Sequence, residues 1–514
     1  MPIRLFLASL LWLAASTASA QSPSIAPVVA PTLAEKIDAA VRPVADAVSG
    51  VIFASVRVAG TDDAPVMFPL IVGWLILAGL VFTLYFRFIN LRGFRHGFDL
   101  IRGRYSDPTC AGEVSHFRAL TSAVSGTVGL GNIAGVAVAI TIGGPGATFW
   151  MVLAGFLGMS SKFVECTLGV MYRLEKPDGT ISGGPMYYLR RGIAENYPRL
   201  APLGVVLAVV FALCTMLGAI GAGAMFQANQ AFAQMANVSG GALADSSLGF
   251  GLVYAVLAGI VVIGGISRIG SVTARLVPGM AALYLIGAAF VILSNLGQVP
   301  AAFMAIIDGA FTAEGVAGGV VGALIQGFRR AAFSNEAGLG SAAIAHSAVR
   351  TREPVTEGFV ALWEPFLDTV VICTMTALVI IITNQHVVGG ADGVQLTSNA
   401  FATVGSWMPY ALAVVVLLFA FSTTITWGYY GAKACSFLFR ESKVALYGFK
   451  VFYLAAAVVG CTMPLGSIVD IADALLFIMA IPNLIGVYLL MPVVKRELQS
   501  YLARLKSGEI RPTG

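Results

Sequence analysis

An all-α integral membrane fold follows from three features of the 514-residue chain. Hydrophobic residues make up 58% of it and charged residues only 11%, with a mean hydropathy of +0.85; soluble domains carry roughly 25% charged residues. Apolar runs of the ~20 residues that a helix needs to cross a bilayer recur along the chain. Glycine supplies 58 of the 514 residues, about 11% against a typical ~7%, which suits close helix–helix approach and interrupted helices. The net charge of +5 leaves no nucleic-acid footprint, because Lys and Arg cluster in short segments between apolar runs. The six Cys (110, 166, 214, 373, 435 and 461) form no CxxC pair and no disulfide framework, and most are expected as small buried hydrophobes.

The N-terminus reads as an export signal. Met1 to Arg4 is a basic start, Leu5 to Ala15 an apolar core, and Ala18-Ser19-Ala20 an A-x-A cleavage site, so residues 1–20 are expected to be a secretory signal peptide; an uncleaved anchor is the alternative. Residues 21–64 then form an exported segment with a short amphipathic helix from Thr32 to Val48.

Eleven transmembrane helices are expected, at about 66–86, 118–142, 147–172, 202–226, 248–267, 273–295, 317–346, 358–383, 406–432, 446–464 and 467–492. Loop charges orient them through the positive-inside rule. Arg87, Arg92, Arg95, Arg102 and Arg104 follow the first span, and the next connection, Gly143 to Gly146, has no Lys or Arg. The alternation continues to the tail with Lys495, Arg496, Arg504 and Lys506. The N-terminus is therefore expected on the periplasmic or extracellular side of a bacterial plasma (inner) membrane, and the tail 493–514 in the cytoplasm. After the extra helix 66–86, five spans cover 118–295 and five cover 317–492. Five is odd, so the second set enters the membrane from the other side. An inverted five-plus-five repeat with one helix in front is the leucine-transporter-like architecture.

Each repeat begins with an interrupted helix: Ser125-Gly126-Thr127-Val128-Gly129-Leu130-Gly131-Asn132 in the first, Phe333-Ser334-Asn335-Glu336-Ala337-Gly338-Leu339-Gly340-Ser341 in the second. In lipid, irregular backbone is tolerated only where it lines a protected cavity, and paired interruptions in the two halves point to a transporter's binding site. An unwound helix offers free N–H groups and a positive dipole end for a carboxylate, and free carbonyls for an ammonium or a sodium ion. Taken singly, each Gly pattern also fits helix packing. Gly338-Leu339-Gly340-Ser341-Ala342-Ala343 matches a dinucleotide fingerprint, but no strand or soluble βαβ unit surrounds it. Ser422, Thr423, Thr424 and Thr426 place four hydroxyls within five residues of the ninth span; they either bond their own helix or hold sodium. Trp427 is a cavity wall or a packing aromatic.

Charges inside spans are costly and point to function. Arg329, Arg330 and Glu336 flank or enter the second break as gating or coupling candidates, with Glu336 a possible ligand or proton carrier. Lys162 and Glu165 (i,i+3) and Glu364 and Asp368 (i,i+4) are expected to stabilise each other or to gate the cytoplasmic vestibule. The four His (96, 116, 346, 386) form no cluster in the sequence, His96 and His116 falling in the cytoplasmic loop, and imply no metal chemistry.

At these residues the chain resembles the alanine or glycine:cation symporter family. The resemblance runs from about residue 66. Its most specific stretches are Ser115-His116-Phe117-Arg118-Ala119-Leu120-Thr121, Gly131-Asn132-Ile133-Ala134-Gly135, Gly143-Gly144-Pro145-Gly146-Ala147 with Phe149-Trp150-Met151, Lys162-Phe163-Val164-Glu165-Cys166, Gly183-Gly184-Pro185-Met186-Tyr187-Tyr188 and Phe333-Ser334-Asn335-Glu336-Ala337-Gly338. It implies sodium-coupled, sometimes proton-coupled, uptake of alanine and glycine, often including D-alanine. Family members often carry Thr where Leu130 stands, so this chain lacks a hydroxyl near the expected substrate. Resemblance and physical reading together assign the carboxylate to backbone at Gly129, Leu130 and Gly131, and the amine and small side chain to Thr127, Asn335 and Trp427. Sodium falls to the Gly126 carbonyl with Ser422, Thr423 and Thr424, with Asn132 a candidate for a second ion. The expected partners are a small neutral amino acid, sodium as coupling ion and membrane lipid, with no other cofactor. A proton-coupled symporter is the alternative; a sensor or passive channel on the same scaffold is the alternative of another class. No P-loop, HExxH or nucleophile elbow suggests an enzyme.

Overall fold

The computed structural model describes residues 33–60, 65–107, 109–263, 265–312 and 319–512. The expected signal at 1–20 lies outside them. An amphipathic helix α1 (Leu33–Ile52) precedes a short antiparallel pair, β1 (Ser55–Gly60) and β2 (Pro65–Pro69), in which Ser55 faces Pro69 and Arg57 faces Met67. The first expected span is helical only over α2 (Leu70–Tyr85), because residues 65–69 pair as strand.

The remaining chain is a bundle. Its main helices are α3 (His116–Thr127), α4 (Val136–Gly143), α5 (Ala147–Met171), α6 (Ala201–Gly218), α7 (Phe226–Val238), α8 (Ser247–Val262), α9 (Gly265–Ser294) and α10 (Val299–Phe311). There follow α11 (Gly319–Asn335), α12 (Ala342–His346), α13 (Pro354–Ala361), α14 (Thr374–Ile382), α15 (Gly393–Ala402), α16 (Met408–Leu438), α17 (Lys443–Gly460), α18 (Leu465–Phe477) and α19 (Ala480–Ser507). Wide i→i+5 turns at Ala219–Met225 and Phe366–Cys373 join α6 to α7 and lead from α13 into α14. Among the described residues, eight helices are long and apolar enough to cross a membrane, and α3 with the segment 131–143 makes a ninth, bent by 52°. The connections 296–316 and 384–405, which carry no Lys or Arg, are partly helical, as α10 and α15.

Two helices organise the interior. α5 packs against α11 and α13, and α16 lies against α3, α6, α7 and α9. Every residue of α16 from Ser422 to Ala432 is buried. A helix enclosed on all sides must satisfy its polar groups within the protein, which is why this stretch of hydroxyls and aromatics is the one that meets the breaks. The peripheral helices behave oppositely: Leu252, Val253 and Val256 on α8 and Ile286 and Leu293 on α9 are exposed, as lipid-facing side chains should be.

Candidate functional site at the two breaks

α3 stops where Val128 leaves helical backbone (ψ 88°), and the chain resumes as a wide turn at Gly131–Gly135. The freed amides are held by side chains. Gly129 N–H donates to Asn132 Oδ1 at 2.8 Å, and Leu130 N–H donates to Gln227 Oε1 at 3.1 Å. Gln227 is anchored in turn by donating from Nε2 to the Ala222 carbonyl.

The second break has a different cause. Glu336, Gly338 and Gly340 have φ of 57°, 88° and 82°, and three left-handed residues in five end any right-handed helix. Glycine takes this conformation freely; Glu336 does not, and for a non-glycine residue it has a cost. Asn335 Oδ1 accepts from Ala337 N–H at 3.0 Å and stabilises the turn. The Glu336 carboxylate is buried, accepting from Trp427 Nε1 at 3.0 Å and from the Ser341 hydroxyl.

Asp368 joins the two breaks. From the first, Asn132 Nδ2 donates to its Oδ1 at 2.7 Å; from the second, Ser334 Oγ donates to its Oδ2 at 2.8 Å. Thr369 Oγ1 also donates to Oδ2, at 2.7 Å, and itself accepts from Asn335 Nδ2 at 2.9 Å. Asp368 is fully buried, and among the described residues no basic side chain stands within ion-pair distance of it. Neutral donors alone surround this carboxylate.

The hydroxyls of α16 separate. Thr423 Oγ1 and the Tyr430 hydroxyl are buried and find no hydrogen-bond partner among the described residues. Both face the first break: a Cβ on Gly129 would collide with Thr423 Oγ1, and one on Gly126 would lie 3.2 Å from the Tyr430 hydroxyl. Ser422 Oγ donates to the Phe419 carbonyl on its own helix, while its carbonyl accepts from Ser125 Oγ. Thr424 Oγ1 turns to the Gly223 carbonyl (2.9 Å) and the Tyr254 hydroxyl (2.8 Å). Thr127 Oγ1 sits at 3.4–3.5 Å from carbonyls of its own helix. Gly131 lies against Phe333 and Ser334 of the second break. The structure thus gathers Gly126, Gly129, Leu130, Gly131, Asn132, Asn335, Glu336, Thr423 and Trp427 around the breaks. Arg329 and Arg330 stand apart, both on Asp473 Oδ2 of α18.

The polar partners that the sequence reading passed over are Gln227, Thr369, Tyr430 and the site role of Asp368. They stand among other polar residues, Gln227 near Asn229 and Gln230, Asp368 next to Thr369 and Tyr430 next to Tyr429, and only the number of polar groups inside spans could have drawn attention.

The buried charges pair between helices, which corrects the within-helix expectation. Lys162 Nζ donates to Glu364 Oε1 at 3.1 Å, and Glu165 accepts from Asn483 Nδ2 at 2.7 Å. Two of the four His do meet: His116 Nδ1 and His346 Nδ1 lie 2.5 and 2.6 Å from the two oxygens of Glu357, and His346 Nε2 is 3.4 Å from Glu364. His116 is buried within α3 rather than placed in a loop. No group of three or more His, Cys, Asp or Glu suited to a metal ion occurs among the described residues.

Comparison with known proteins gives one consistent result. The profile of the sodium:alanine symporter family matches residues 54–513. The sodium/alanine symporter AgcS of Methanococcus maripaludis is 36% identical over 441 residues, covering 85% of this chain and 94% of its own. The probable sodium/glutamine symporter GlnT of Bacillus subtilis is 34% identical over 445 residues, covering 86% and 89%. Among solved structures, MhsT in complex with L-phenylalanine superposes with a TM-score of 0.53 at 14% identity, covering 73% of this chain and 88% of that one. That likeness concerns the fold, which is of the leucine-transporter-like class.

Proposed function

The chain belongs to the sodium:alanine symporter family, whose members are cation-coupled amino-acid transporters and not enzymes, and from that premise we propose sodium-coupled uptake of alanine or glycine by alternating access. The observation that carries the reading is Asp368, a buried carboxylate with neutral donors only, tied to both breaks. A buried charge needs a counter-charge, and a cation arriving here would link the two broken helices. Thr423 Oγ1, buried beside Gly129 without a partner among the described residues, supports a second point of contact for ion or substrate, since leaving such a group unsatisfied costs about 1–3 kcal/mol.

Amide oxygens of Asn132 and Gln227 hold the Gly129 and Leu130 N–H groups as a carboxylate would. On this reading the substrate carboxylate displaces them, and Asn335, Thr127 and Trp427 surround the amine and the small side chain. Thr424 contributes by fixing α16 to Gly223 and Tyr254. One sodium ion moving inward gains ~2.3 kcal/mol per 100 mV, enough for roughly 40–50-fold accumulation at ~1.4 kcal/mol per decade. We further propose eleven spans in a five-plus-five inverted repeat behind α2, with the N-terminus outside the plasma membrane. The alternation of Lys and Arg along the loops and the place of each break at the head of its repeat support that topology.

Glu336 favours a second reading, in which a proton is the coupling ion. It is buried at the second break and accepts from two neutral donors, Trp427 and Ser341. Uptake of labelled L-alanine into proteoliposomes under sodium, proton or no gradient separates the readings. Sodium coupling requires concentrative uptake that needs sodium and weakens at least tenfold, about 1.4 kcal/mol, in Asp368→Asn. Accumulation driven by a proton gradient alone and lost in Glu336→Gln selects the proton; no accumulation under any gradient sinks both.

A further inference from the structure

The closure between α11 and α18 has a third member that belongs to neither helix. Arg329 Nε lies 2.7 Å from Asp473 Oδ2, and Arg330 pairs with the same oxygen, while Asp473 Oδ1 has no partner among the described residues. Two guanidiniums share one carboxylate oxygen, with Asp470 of the same helix also acting on Arg329, and Arg329 has a further favourable surface besides these charges. Phe53, just past α1, supplies it: the Arg329 guanidinium carbon sits 4.3 Å from the centre of the Phe53 ring. A cation over a ring face is attracted by the ring's quadrupole.

Phe53 is itself held in place. Its ring meets Phe477, the last residue of α18, at 5.5 Å. Its N–H donates to the Ser49 carbonyl at 2.8 Å, Ile52 beside it is buried, and α1 packs along α18. One ring therefore touches α18 through Phe477 and α11 through Arg329. The family profile begins at residue 54, so Phe53 and α1 lie outside the matched region.

We propose that Phe53 is a positioning residue of the outer closure: its ring keeps Arg329 on Asp473, so the segment 48–53 sets how readily α11 and α18 part. The word outer rests on the orientation proposed above; the contact itself does not. Loss of the ring frees Arg329 and shifts the protein toward its outward-open form.

The test uses the full chain in four variants, Phe53→Leu, Phe53→Tyr, Arg329→Gln and the double Phe53→Leu/Arg329→Gln. One readout is hydrogen–deuterium exchange of residues 319–335 and 465–477, which needs no transport. The other is KM and kcat of sodium-driven alanine uptake. Phe53→Leu should speed exchange in both segments and lower KM and kcat together, each by about two- to tenfold, the range of a cation–ring contact. Phe53→Tyr, which keeps the ring face, should match wild type, and Arg329→Gln should reproduce the Leu effect with nothing added in the double variant. Wild-type behaviour of Phe53→Leu overturns the proposal; so do equal defects in the Leu and Tyr variants, or additive effects in the double. If alanine is not the substrate, uptake fails in wild type while the exchange result still decides this proposal.

Discussion

The two ends of the bundle are closed by different physics. At the Arg173 end, the inner one in the proposed orientation, closure is spread over backbone. Arg173 donates to the carbonyls of Ser347, Val349, Ala111 and Thr351. Val114 bridges Val349, Glu113 N–H donates to the Ala348 carbonyl at 2.8 Å, and Lys433 Nζ donates to the Ile181 carbonyl at 2.7 Å. At the other end, the described ion pairs between α11 and α18 converge on one carboxylate, Asp473, which serves two arginines, with the Phe53 ring against one of them. Distributed contacts fail gradually; a single ionic centre fails at once.

The largest effect is expected between the two ends, where Lys162 and Glu364 are both fully buried. Lys162→Met leaves Glu364 without its cation, which should cost about 3–5 kcal/mol. Thermal unfolding in detergent would read it; a melting curve like wild type would show that His346, also beside Glu364, already suffices. Next comes the direct comparison of the ends. Asp473→Asn should destabilise by about 2–3 kcal/mol, below the full buried-pair figure because Arg329 is 21% exposed and can rehydrate while Asp470 still faces buried Arg330. Lys433→Ala should cost about 1.5–2 kcal/mol, the low end for hydrogen bonds from a charged group, because the remaining backbone contacts stay in place. Equal losses in paired denaturation measurements would erase the contrast drawn between the ends.

The smallest effect concerns pH. His96, outside the membrane-spanning helices, is half-buried with Nε2 2.8 Å from the Tyr501 hydroxyl. Burial holds its pKa below the ordinary 6.5, against an opposing pull from Asp99. The folded state therefore prefers neutral His96 and the unfolded state takes the proton first, so this contribution is whole above pH 6.5 and fades as pH falls below it. His96→Gln should flatten the decline in melting temperature between pH 7.5 and 5.5. An unchanged slope would assign that decline to other groups.

Much of this molecule can be read from local pattern. The apolar runs give the helices, because a bilayer demands length and hydrophobicity that composition displays directly. Both interruptions are visible as glycines and polar residues within such runs, and the structure opens at both: Val128 leaves the helix in the first, and Glu336, Gly338 and Gly340 adopt left-handed backbone in the second. The direction of a polar side chain is another matter. Ser422, Thr423 and Thr424 are adjacent, yet on a helix of 3.6 residues per turn neighbours point about 100° apart. One hydroxyl returns to its own helix, one faces Gly129, and one faces Gly223. The expected pairs Lys162–Glu165 and Glu364–Asp368 failed for a similar reason: spacing along a helix permits a contact, but a better partner on a facing helix takes it.

By itself the sequence determined what a local and periodic signal can encode: a membrane-embedded, mostly helical chain, the family motifs, and two interrupted helices. Tertiary structure alone decided that Asp368 ties the breaks together, that Gln227 occupies the amide of Leu130, that His116 and His346 share Glu357, and that Phe53 reaches Arg329. Those partners are separated by as many as 276 residues, the span from Phe53 to Arg329. No periodicity links residues that far apart; only the packing of α5, α11, α16 and α18 does, by excluding water and leaving each buried polar group to find its partner inside the protein.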